Sequence, residues 1–125
     1  SSDLYSKQKG ADMDYTVAEI EKIILEAKTE AAIAAHQFFK DRLGGRDQFS
    51  CGFAWVEIFG IKGNTRLGRA MKAAGVRKSY NGSFQIWNPA GIGVQNIDTL
   101  EVGAEAAAAV FKRYGFQAYA GSRLD

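Results

Sequence analysis

Val76-Arg77-Lys78-Ser79-Tyr80-Asn81-Gly82-Ser83-Phe84-Gln85-Ile86-Trp87 is the stretch that decides the fold. Two short runs mixing apolar and polar residues flank Asn81-Gly82. Only residues that tolerate positive φ fit both central places of a type I′ turn, so this dipeptide predicts a hairpin with a two-residue loop. Such a loop pairs Val76 with Trp87 and Arg77 with Ile86. Each face of the first hairpin strand then mixes charge with apolar side chains, and its faces stay unassigned.

Upstream of the hairpin, residues 49–59 alternate and predict a strand. Gly52, Ala54, Val56 and Ile58 form a small or branched face; Cys51, Phe53, Trp55 and Phe59 form an aromatic one. Residues 64–74 predict a helix with Leu67, Ala70, Met71 and Ala74 on one side, capped by Asn64 or Thr65 and ended by Gly75. Downstream, 88–96 is a loop rich in glycine with the only proline, Pro89. A helix follows, with Asp98 and Glu101 as its capping pair and Leu100, Ala104, Ala107, Phe111 and Tyr114 on one side. The run Ala106 to Ala109 implies close helix-sheet packing. Residues 116–121 are a last strand, with Tyr119 on the aromatic face.

Strand, helix, two strands, helix, strand over 49–121 is the chain order of an α+β, ferredoxin-like split βαβ (βαββαβ) sheet. That order predicts an architecture and no job, because the fold carries many functions.

Before this core, residues 1–14 are polar and aperiodic, a loose tail to a single domain spanning 15–125. Residues 15–44 predict a long additional N-terminal helix. Thr16 and Glu19 make a capping box, and Gly44-Gly45 a left-handed stop. At about 1.5 Å per residue it is about 40 Å long, more than a small domain is wide. Its apolar positions step Val17, Ile20, Ile24, Ala27 and on to Phe38 with the spacing of a helix-helix seam. The front half has no evident partner within the chain, so Val17, Ile20, Ile24 and Ala27 are expected to join two copies in a homodimer. The back half, apolar almost all round, is expected to cover the aromatic sheet face and bury Trp55.

A chain of 125 residues, 46% hydrophobic and 24% charged, is long enough for one core. A single cysteine excludes an internal disulfide and a cysteine-rich metal site. No run approaches a membrane span and no signal-peptide pattern opens the chain, so a cytoplasmic setting without membrane contact is expected. The net charge is only +2, yet it is unevenly spread. No acid occurs from Ile58 to Ile97, where Lys62, Arg66, Arg69, Lys72, Arg77 and Lys78 all fall.

Those bases define the candidate site. Arg66, Arg69 and Lys72, three apart, share a helix face. Lys62, Asn64 and Thr65 sit at the helix N-terminus, where free N–H groups and the helix dipole favour anions. With Arg77 and Lys78 they would make a phosphate- or nucleic-acid-binding surface; the competing reading is a solvated helix face. The turn is no Walker A loop, since Lys62 precedes the second glycine. His36 and Cys51, each the only one of its kind, are expected to be buried structural residues. No acid-base pair or metal cluster stands out, so no catalysis and no cofactor are expected.

Ala35-His36-Gln37-Phe38-Phe39, Lys62-Gly63-Asn64-Thr65 and the ending Ala120-Gly121-Ser122-Arg123-Leu124-Asp125 resemble a small conserved protein family of T4-like marine cyanophages. The resemblance covers about Tyr15 to the C-terminus. It implies a setting, the cytoplasm of an infected bacterium, and neither activity nor site residues. Together these readings lead to a small accessory protein that binds nucleic acid or another phosphate-bearing ligand. A non-catalytic structural or protein-interaction module acting as a homo-oligomer is the alternative.

Overall fold

The structure, a computed structural model, describes residues 13–125. Of the tail, only Met13 and Asp14 lie among them. The first element, α1 (Val17–Leu43), is stopped at both ends as its sequence dictates. Thr16 Oγ1 accepts from the Glu19 N–H, and Glu19 Oε1 accepts from the Thr16 N–H. Gly44, at φ 60°, closes the C-terminus by donating its N–H to the Phe39 carbonyl. Next come β1 (Gly52–Phe59), α2 (Arg66–Ala73), β2 (Arg77–Lys78), β3 (Phe84–Trp87), α3 (Ile97–Arg113) and β4 (Gln117–Leu124).

The four strands form one antiparallel sheet in the order β2-β3-β1-β4. The connection through α2 therefore steps over β3, and the one through α3 steps over β1. One sheet face carries Ala54, Val56, Ile58, Phe84 and Ala118, all buried in the core with Phe111 and Phe116. Small and branched residues there let α3 lie close on β1 and β4.

The long helix belongs to this same core. Ile20, Ile23, Ala27, Ala31 and Ala35 are all buried, and α1 packs along α3. Their contact is tight because both stripes are small: a Cβ on Gly103 would lie 3.5 Å from both the Ala31 carbonyl oxygen and the Ala35 Cβ. Outside the contact, Arg113 bridges Glu26 (2.7 Å) and Glu30 (2.6 Å), and the Tyr114 hydroxyl donates to Glu26 at 2.7 Å. The expected oligomer seam is thereby corrected. Ile20 and Ala27 are spent on the domain's own core, Ile24 packs at its margin, and Val17 sits at the exposed start. Their spacing matched a helix partner, and that partner is α3 of the same chain.

The hairpin is real, but its loop is one residue longer than expected. Arg77 pairs with Gln85 and Lys78 with Phe84. The Ser79 N–H donates to the Ser83 carbonyl at 2.8 Å, leaving Tyr80, Asn81 and Gly82 as a three-residue loop. Gly82 alone takes positive φ, at 87°, which suits a type I turn followed by a left-handed glycine. Asn81 keeps negative φ because its side chain is engaged locally. Its Oδ1 accepts from the Ser83 N–H at 3.0 Å, an Asx turn. This one-residue slip exchanges the faces. Arg77, Gln85 and Trp87 stand on the side away from the helices, while Lys78, Phe84 and Ile86 face them.

Three boundaries also move. Phe49 takes φ 68° and stays outside the first strand, which begins at Gly52. Asn96, not Asp98 with Glu101, caps α3: its Oδ1 accepts from both the N–H and the hydroxyl of Thr99, each at 2.8 Å. The last strand runs past Gly121 to Leu124.

Candidate site on the open sheet face

With α1 lodged among the helices, no described element covers the other face of the sheet. The expectation that α1 buries the aromatic residues is overturned. Phe53 and Phe59 are exposed, Trp87 is 40% and Tyr119 54% exposed, and Trp55 is half-buried. Alanine-rich α1 found small residues on α3 to pack against, which the aromatic face does not offer.

Strand register assembles these rings into one surface. Trp55 and Trp87 are directly paired across β1 and β3 and stack with centroids 4.6 Å apart at 23°. Phe53 meets Trp87 edge-on at 6.2 Å, and Phe59 lies 6.0 Å from Tyr119. On β4, Gly121 stands opposite Trp55, and the indole lies across it: a Cβ there would fall 2.5 Å from Trp55 Nε1. Cations border the rings. The Arg123 guanidinium sits 5.3 Å from the Phe53 centroid and 5.9 Å from that of Trp87, and Lys112 Nζ sits 5.3 Å from that of Tyr119. Such distances give cation-π attraction.

The polar groups between the rings are largely committed. Trp55 Nε1 donates to Glu57 Oε1 at 2.9 Å, while Asn81 Nδ2 (3.1 Å) and the Ser83 hydroxyl (3.2 Å) donate to Oε2. These bonds, Trp55's foremost, hold the Glu57 carboxyl below the usual carboxylate range in spite of partial burial. Trp87 Nε1 donates to Gln85 Oε1 at 2.9 Å. Beside Trp87 opens a cavity of about 470 Å³ lined by Arg77, Lys78, Ser79, Tyr80, Gln85 and Trp87.

Several of the basic residues anticipated from sequence are bound within the chain. Arg66 pairs with Asp14 at 3.2 Å, and Arg69 donates to the Asn64 carbonyl at 2.6 Å. Thr65 caps α2 through the Gly68 N–H at 3.1 Å. Lys72 and Lys78 both reach towards Gly63. Lys78 Nζ is held by the carbonyls of Ile61 (3.0 Å) and Gly82 (2.6 Å) and lies over the Phe84 ring at 4.5 Å. Lys62 is exposed in the same loop. Arg77 alone joins the aromatic face. Sequence reading missed Arg123 and Lys112 as its partners; odd-number alternation through Gln117, Tyr119, Gly121 and Arg123 would have found the first. His36 and Cys51 are both exposed, not buried as expected. Cys51 precedes the strand, in an isolated bridge to Asn96 and with its carbonyl accepting the Asp125 N–H at 3.1 Å, so the body of the sheet does not enclose it.

Among the described residues no helix is long and apolar enough to cross a membrane. Comparisons with protein-family models, curated proteins and solved structures give no match to this chain.

Proposed function

We propose that this chain binds single-stranded nucleic acid across the open face of a ferredoxin-like split βαβ sheet. The strand order β2-β3-β1-β4, with each helical connection stepping over one strand, supports that fold. The observation that carries the function is the surface of Phe53, Trp55, Phe59, Trp87 and Tyr119, uncovered by any described element and bordered by Arg77, Arg123 and Lys112. Unpaired bases have π faces that stack on such rings in a sequence-tolerant way, and a flanking cation meets each phosphate. A duplex, with its bases already stacked, offers the rings nothing. Lys62, Arg66, Arg69 and Lys72 add a long-range positive field at one end of the sheet.

The rival, a homo-oligomeric interaction module, rests on Leu25 and Ile33, 67% and 65% exposed on the outer side of α1. Two side chains eight residues apart make a smaller surface than the five rings, so the nucleic-acid reading is preferred.

Labelled single-stranded 10-mers of RNA and DNA should bind in fluorescence anisotropy, a matching duplex more weakly, and affinity should fall as salt rises. For single strands each phosphate contact contributes about 0.7 to the log-log slope. The double variant Arg77→Glu with Arg123→Glu should therefore lower the slope by about 1–2. Absence of binding to either single strand at low salt would remove the proposal.

A further inference from the structure

Resting on that reading, we infer that the cavity beside Trp87 selects bases carrying a ring carbonyl where others carry an amino group, uracil over cytosine in particular. Its chemistry follows from one hydrogen bond. An indole N–H only donates, so the amide group 2.9 Å from Trp87 Nε1 must present its oxygen there. The Gln85 nitrogen therefore faces away from the indole with two N–H donors, and among the described residues neither meets an acceptor.

Arg77, paired with Gln85 across the ladder, lines the same cavity and adds guanidinium donors with no described acceptor. The acceptors nearby are taken. Glu57, on the strand beyond Gln85, already receives Trp55, Asn81 and Ser83. The Ser79 hydroxyl is bound to Asn81 and Ser83. Lys78 is a donor turned to two carbonyls. Apart from the Tyr80 phenol, the side chains of the wall that are not already bound thus offer donors only.

A base laid on Trp87 beside this wall gains most if its exposed edge accepts. Uracil presents O4; cytosine presents an amino group at that position, which sets donor against donor. Arg and amide side chains distinguish base edges on this ground elsewhere in nucleic-acid recognition. The guanidinium of Arg77 meets the adjoining phosphate, so its donors and charge give affinity there and the base edge is left to the Gln85 amide.

The test compares 10-mers of uracil and of cytosine, equal in length and charge, on wild type and two variants, the change of ratio between proteins cancelling any difference in the strands' own stacking. Wild type should bind the uracil strand about tenfold more tightly. Gln85→Ala removes the donors and should bring the two strands level. Gln85→Glu keeps an oxygen for Trp87 but turns an acceptor to the base, so the ratio should invert while overall affinity drops. Circular dichroism of both variants confirms folding, and either one alone decides the matter. Equal wild-type affinities, a cytosine preference, or a ratio unmoved by both substitutions would overturn the selection while leaving single-strand binding intact. No binding of either strand would overturn both.

Discussion

Phe111→Ala should lower the free energy of unfolding by about 3–5 kcal/mol, the range for deleting a buried phenylalanine and leaving its cavity. Phe111 is fully buried and meets Phe116 edge-on at 5.6 Å. It lies in α3, the element packed against α1, β1 and β4 alike, so no single neighbour can move in to fill the space. Leu25→Ala takes hydrocarbon from the exposed side of α1, not from the core, and should change stability by less than about 0.5 kcal/mol. Urea unfolding of the two variants checks the contrast. A Phe111 cost under about 1 kcal/mol would mean that α1 and α3 do not close on the sheet as described.

Trp87→Ala should weaken binding of a single-stranded 10-mer by about 1–3 kcal/mol, a loss of roughly five- to 150-fold. Trp87 stacks on Trp55, takes the edge of Phe53, lies beside Arg123 and walls the cavity. Its removal takes away a stacking surface and frees Gln85 from its fixed orientation. At 40% exposure it contributes far less to the core than Phe111 does, so the variant should remain folded by circular dichroism. Affinity unchanged within about twofold, a difference below 0.5 kcal/mol, would show that bases do not stack there.

What was legible in the sequence was local. Thr16, Glu19 and Gly44 delimit α1 through bonds to their own neighbours, and no tertiary structure can override them cheaply. Asn81-Gly82 marks a turn for the same reason. The turn type was not legible, because Asn81 takes a different backbone angle once its side chain binds Ser83 and reaches Glu57, 24 residues back. The place of α1 was ambiguous in principle: a stripe of Ile20, Ile24 and Ala27 is satisfied equally by a second chain or by α3. The clue lay in the matching small residues, Ala31 and Ala35 against Gly103 and Ala104. Charge counted along the chain does not show which bases are already bound: Asp14, 52 residues from Arg66, pairs with that one side chain in space. Ending the last strand at Gly121 concealed Arg123, and with it the cation that borders the tryptophans.

Trp55 and Trp87 are the only tryptophans in the chain, and they stack on each other in the middle of the open face. Intrinsic tryptophan emission therefore reports on the proposed site and on nothing else. Titrating the wild-type protein at low salt with an unlabelled single-stranded uracil 10-mer should quench that emission along a saturable curve, and added salt should restore it. Emission that stays unchanged while the oligonucleotide is shown by anisotropy to bind would place the ligand elsewhere on the protein and contradict the assignment of the sheet face.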